Sequence, residues 1–256
     1  MMKKLIGVAL MIACSCSAFA EVKPLTDDEA NNYLKPVNDA VYSNVVAVMV
    51  KNDAEASLQQ NKTSDGFDLT PHSVKGLVAE FEKNEIVATD KYNNVATRIK
   101  GTIKSVGLDA LKNGVITVSG DKSFSGNLIA SVDKSADWVR KAGKGDKIDM
   151  LCNINGYVML NVAAKCDSAL RVTEQIVRNE YGITENYSLP KTSAGAAFAY
   201  TIKNNEVELG KACGKPDEKC FQKLNSIFEE AKANKPKNDP RLGLWVKQLP
   251  ERIAQR

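Results

Sequence analysis

The sequence predicts an α+β protein: a barrel of five short strands between N-terminal helices and a C-terminal helical region. Three observations carry this. Apolar residues recur at helical spacing near both ends of the chain. From Val95 the period changes to strict alternation. Glycine- and asparagine-containing turns then punctuate the chain every few residues up to about Ala164. Period 3.6 places one stripe of a helix on a core, and period 2 places one face of a strand there.

The elements follow in order. Met1 to Ala20 has a short positive start (Lys3, Lys4), an uncharged apolar run from Leu5 to Ala13, and a small-x-small site at Ala18-Phe19-Ala20. That is the pattern of a cleavable export leader, and the run is too short to span a bilayer, which takes about 20 apolar residues. Cleavage after Ala20 places the mature chain in the periplasm or outside the cell. The lesser alternative is a lipoprotein anchored through Cys14, for which Met11 is a poor match at the third position before the cysteine.

Thr26 and Glu29 form a capping box. Leu34, Val37, Val41, Val45 and Val48 continue a helix to about Leu58, with Pro36 kinking it or marking its effective start. Thr70-Pro71 predicts the next helix start, with His72 as an exposed residue of its first turn and Val74, Leu77, Val78 and Phe81 as its buried stripe. This helix is read as running through Asn84 towards Tyr92. Strands follow at Val95–Lys104, Val115–Ser119 and Asn127–Val132. A short helix is expected near Asp133–Val139, then strands at Lys147–Asn153 and Tyr157–Ala164, joined by a hairpin turn at Asn155-Gly156. Beyond lie four helices: one through Leu170 to Val177 and stopped at Gly182, one from Ser193 to Leu209, one carrying Phe221, Leu224, Ile227 and Phe228, and one capped by Asp239-Pro240 that carries Trp245. The expected organisation is a leader at 1–20, an N-terminal helical segment at 21–89, a barrel at 90–167 and a C-terminal helical region at 168–256.

Five strands with a helix between the third and fourth is the order of an OB-fold barrel. The stretch from Leu77 to Asp167 also resembles the exported bacterial OB-fold proteins of the tRNA-anticodon-binding-like (tRNA_anti-like) family. The likeness rests on Phe81-Glu82-Lys83-Asn84-Glu85, Asp90-Lys91-Tyr92, Ile99-Lys100-Gly101-Thr102-Ile103, Lys144-Gly145-Asp146-Lys147-Ile148, Cys152 and Lys165-Cys166-Asp167. These motifs are structural. The resemblance implies an OB barrel and does not imply tRNA binding. One departure is that members often carry a cysteine near the end of the third strand, and Asn127–Val132 has none.

Loss of the leader turns six cysteines into four and a formal charge of +4 into +2. An even number in an exported chain predicts disulfides, and sequence proximity favours Cys152–Cys166 and Cys213–Cys220. A turn at Asn155-Gly156 would set Cys152 opposite Met159, so the first pairing would require a bulge, strong coiling or a fold-back of Cys166. Zinc is not expected, because the thiols are widely spaced and the single histidine is remote from them.

Residues 21–89 carry 6 basic against 12 acidic side chains, residues 90–166 carry 12 against 7, and residues 167–256 carry 15 against 12. Pairing of these charges within one molecule is preferred over a basic barrel that seeks phosphates or anionic glycans. A nucleophile–histidine arrangement is not legible: His72 is the lone histidine and there is no Gly-x-Ser-x-Gly elbow. The reading is therefore a non-catalytic binding or accessory protein of the bacterial envelope, without a cofactor, its partner an envelope protein or glycan.

An oligonucleotide- or glycan-binding barrel is the first alternative. Its ligand face would be the second and third strands with the loop near Asn153–Gly156. Lys112, Lys122, Phe124 and Lys134 are the candidate contacts, but one aromatic is few for base stacking. A hydrolase with an unrecognised carboxylate pair is the second alternative. Trp245 is a candidate partner anchor if exposed, and core if buried.

Overall fold

The computed structural model describes residues 22–64, 66–119, 126–233 and 239–251. The expected leader, including Cys14, lies outside them, as do Lys122 and Phe124. In chain order the elements are α1 (Asp27–Leu34), α2 (Asp39–Gln59), β1 (Thr63–Ser64), β2 (Phe67–Ser73), α3 (Val74–Lys83), α4 (Glu85–Tyr92), β3 (Ala96–Leu108), β4 (Gly114–Ser119), β5 (Asn127–Val132), α5 (Asp137–Lys141), β6 (Lys147–Val158), β7 (Asn161–Ser168), α6 (Ala169–Tyr181), α7 (Ser193–Asn204), α8 (Glu206–Ala212), α9 (Glu218–Ala233) and α10 (Pro240–Val246). They form two compact units. One spans residues 53–175; the other is built from both ends of the chain, up to residue 52 and from residue 176.

The first unit holds the barrel. Its strands run β3-β4-β5-β7-β6, and β6 pairs back onto β3 to close it. Every contact in the ring is antiparallel except β5 with β7. This is the OB fold, and the alternation in the sequence explains it directly. Ile116 and Val118 of β4, and Leu128, Ala130 and Val132 of β5, point inward and are buried, while their neighbours face out. β3 serves two partners: residues 96–102 pair with β6 and residues 102–108 with β4, with a register irregularity between Ile103 and Ser105. Gly101 sits at that crossover, where a Cβ would collide with the Val118 side chain. The α3 stripe, Val74, Leu77, Val78 and Phe81, joins Ile99, Met150 and Val162 in the barrel core, as its spacing predicts.

Several local expectations change. Residues 67–73 form a strand and not a helix start, because β2 pairs in parallel with β3. Helix α3 begins after Ser73, whose hydroxyl accepts from the Gly76 amide. Asn84 divides the expected long helix, since its side chain caps α4 by accepting from the Val87 amide. The Ser193–Leu209 helix likewise breaks at Asn205 into α7 and α8.

His72 thus belongs to a strand, where its Nε2 lies 2.8 Å from Asp68 Oδ2 and its ring meets Tyr92 edge-on. Burial alone would raise the Asp68 carboxyl. The His72 contact and the Thr70 backbone and hydroxyl outweigh it and hold the group below its ordinary range. A depressed folded value means the contribution to stability is complete above the unfolded aspartate value near 4. It is lost as pH falls through the folded value. The Asp68→Asn variant should lose less stability than the wild type over that acidic window, read by urea unfolding at stepped pH. Equal acid sensitivity would show that Asp68 is not the group responsible.

In the second unit Leu25, Ala30, Leu34, Ala196, Ala199, Leu242 and Trp245 form a buried cluster. The Thr26–Glu29 capping box is present in full, and Asp239 caps α10 through the Arg241 amide. Pro36 lies in the link between α1 and α2. Gly182 takes a φ of +60° after α6, a conformation that suits glycine at a helix end. A disulfide joins Cys213 and Cys220.

Candidate functional site: the outer face of the barrel

In β4 the outward residues are Val115, Thr117 and Ser119; in β5 they are Ser131, Ile129 and Asn127, directly opposite in register. Strand β7 extends the face with Lys165, Ala163 and Asn161 beside Ser131, Ile129 and Asn127. The result is a nine-position patch of small or medium side chains with one charge, Lys165. None of the nine is aromatic.

The structure brings together two of the residues expected on this face. Lys134, just past β5, donates from Nζ to the Lys112 carbonyl at 2.9 Å. Lys112 itself sits in the β3–β4 turn with φ of +64°. Asp109 organises that turn by accepting from the Leu111 and Asn113 amides and from the Asn113 side chain. The Asn113 side chain, then its amide, holds the Asp109 carboxyl below its usual range. Two leucines project beside this turn: Leu108 is 62% and Leu111 82% exposed.

The other expected flanking loop, near Asn153–Gly156, is strand. The β6–β7 turn lies at Met159-Leu160, flanked by the pair Val158↔Asn161. The reason is register. Cys152 and Cys166 are direct cross-strand partners and form a disulfide, so the turn must fall midway between them. The Asn155-Gly156 pair is absorbed as an irregularity between Ile154 and Gly156. The displaced turn removes the steric objection to this pairing, and the irregularity adds the one-residue shift that sets Cys166 opposite Cys152.

The sequence model of the tRNA_anti-like family matches residues 1–168, a span that contains the whole barrel. The chain belongs to the tRNA_anti-like family. None of the curated proteins compared with the chain matches it. A tRNA_anti-like OB barrel fits a binding module, and the face and loops above are the surface that OB folds commonly use for ligands.

The displaced turn gives this tRNA_anti-like barrel a feature that sequence reasoning missed. Val158, Met159 and Leu160 are 61%, 88% and 55% exposed. Met159 and Leu160 have φ of +49° and +64°. Bulky residues in the left-handed region cost about 1–2 kcal/mol each. Asn161 braces the turn: its Nδ2 donates to the Met159 carbonyl at 2.8 Å, and its Oδ1 accepts from the Asn127 amide and side chain. The available signal was the spacing of Cys152 and Cys166 about residue 159.

The candidate anchor Trp245 is not on a surface. It is 3% exposed in the helical core, and its Nε1 donates to Asp27 Oδ1 at 2.8 Å. An apolar ring finds its burial there while its one polar atom is satisfied, so Trp245 is a core residue.

Proposed function

We propose that the protein is an exported, non-catalytic accessory protein of the bacterial envelope that binds a protein partner through its barrel. One observation carries this reading: a small-residue, nearly uncharged β4–β5–β7 face flanked by two exposed apolar turns, Leu108 with Leu111 and Val158 to Leu160. Clustered exposed apolar groups mark protein contact surfaces. Single-strand binding would draw on stacking aromatics and a cationic track, and a low-charge face of this kind suits neither well. Export is supported by the leader pattern and by the two disulfides, since such bonds persist in oxidising compartments. Among the described residues no helix is long and apolar enough to cross a membrane.

The test is affinity capture from an envelope extract with the mature protein, beside binding assays with single-stranded DNA and with envelope glycans. Saturable retention of a discrete protein is the expected result. Tight DNA binding that weakens steeply with salt would overturn the reading in favour of nucleic acid. Mass spectrometry of the exported protein should show Glu21 as the first residue and no free thiol. A diacylated Cys14 would overturn cleavage after Ala20.

A further inference from the structure

We infer that the β6–β7 turn, Val158-Met159-Leu160, is a preorganised apolar plug that enters an apolar pocket, rimmed by lysine or arginine, on a partner protein. This rests on the protein-binding reading above and names the element that makes the contact.

Three consecutive large apolar side chains face solvent at the end of a hairpin. Their exposure is not a by-product of an easy turn. Met159 and Leu160 occupy left-handed backbone conformations that asparagine and glycine adopt far more readily. An Asn-Gly pair stands at 155–156 in the same hairpin and is passed over. The cost of presenting these side chains is therefore met within the free protein, by the Cys152–Cys166 register and by the Asn161 brace. A rigid tip loses little conformational freedom on binding, which favours a defined pocket over an adaptable surface.

The surroundings select the occupant. Residues 153–164 contain no charged side chain. At the root of the tip, Tyr157 stacks on Phe81 and its hydroxyl donates to Glu82 Oε1 at 3.4 Å. Glu82 and Glu85 both act electrostatically on the Tyr157 hydroxyl. Among the described residues, the charges that act on the root of the tip at Tyr157 are thus negative. Anionic lipid and nucleic acid attract lysine and arginine and are repelled by such a rim. A protein pocket with a basic edge complements both the apolar tip and its acidic flank.

The test uses the full mature chain with a photo-crosslinking phenylalanine at position 159, and a control with the same group at Lys144 in the exposed turn before β6. Both are irradiated in envelope extract. The expected result is one discrete protein adduct from position 159 and none from position 144, with the crosslinked peptide apolar and bordered by lysine or arginine. Unlabelled wild type should compete the adduct away. A Met159→Asp competitor should do so at least about tenfold less well, the scale of a central interface anchor. Because Met159 is almost fully exposed and aspartate tolerates the left-handed backbone better than methionine, the variant should melt no earlier than the wild type.

An adduct of two copies of this chain would overturn the inference, as would sedimentation with phosphatidylglycerol vesicles that depends on Met159. Equal competition by Met159→Asp, or equal labelling from 144, would do the same. Wild-type affinity capture run in parallel separates the claims. A partner captured without dependence on the tip defeats this inference alone, and no captured partner defeats the protein-binding reading with it.

Discussion

The Arg98→Ala variant should lose about 2–4 kcal/mol of stability, because it removes a buried guanidinium that pairs with a part-exposed carboxylate and serves two backbone carbonyls. Arg98 is 5% exposed on β3. Its Nε and Nη2 donate to the two oxygens of Asp149 on β6, at 2.8 and 2.6 Å. Its Nη1 donates to the Leu58 carbonyl at 2.6 Å and to the Leu69 carbonyl at 3.3 Å. One guanidinium therefore joins two barrel strands, the last turn of α2 and β2. The Leu58 carbonyl is among those a helix leaves without an internal partner, at the negative end of the helix dipole. Truncation at residue 98 takes a donor from all of these acceptors at once; the Asn61 amide, 3.4 Å from the Leu58 carbonyl, and Lys100, 3.4 Å from Asp149, offset only part of the loss.

Arg98→Lys should recover only a fraction, since an ammonium cannot reproduce the planar fork. Replacing both partners, as Arg98→Met with Asp149→Leu, should cost less than the sum of the single changes, because no unpaired charge remains. Urea unfolding with an unchanged m-value is the measurement. A loss below about 1 kcal/mol for Arg98→Ala would show that water satisfies the abandoned groups and that the clamp is not structural.

Arg98 also shows where sequence reading stops. The alternation from Val95 to Lys104 identifies its strand, and the five-strand order identifies the barrel, because both signals are local. Helix ends with reciprocal capping, Thr26 with Glu29 and Asp239 before Pro240, are legible for the same reason. Nothing near position 98 in the chain says that an arginine on a buried strand meets Leu58, Leu69 and Asp149. Thr70-Pro71 misleads similarly: its helix-start chemistry is sound, but parallel pairing with β3 places these residues in a strand. At the candidate site the strands were legible, but the contact of Lys134 with the Lys112 carbonyl was not, since it depends on how β5 returns beside the β3–β4 turn. The apolar tip was not. A run such as Tyr157–Leu160 reads as a buried strand, and methionine and leucine are not turn residues by propensity. A constraint from outside the turn, the cysteine pair, overrides that local preference.

That constraint can be removed. Replacing Cys152 and Cys166 together by alanine should cost about 2–5 kcal/mol, and loop closure alone accounts for about 3 kcal/mol at this separation. The two residues are 14 apart, directly paired across β6 and β7, and buried in the barrel core. Two consequences should therefore appear together. The barrel should unfold at lower urea, and amide exchange should accelerate between Tyr157 and Ala163, where the strained turn loses the bond that holds its register. The Cys213→Ala/Cys220→Ala pair provides the contrast. It opens a loop only 7 residues apart in the other unit, and should leave exchange at Tyr157–Ala163 unchanged. If the Cys152/Cys166 variant keeps wild-type exchange there, packing of Ile154 and Tyr157 against the core and the Asn161 brace suffice to hold the turn. The disulfide would then stabilise the unit without selecting which residues form its tip.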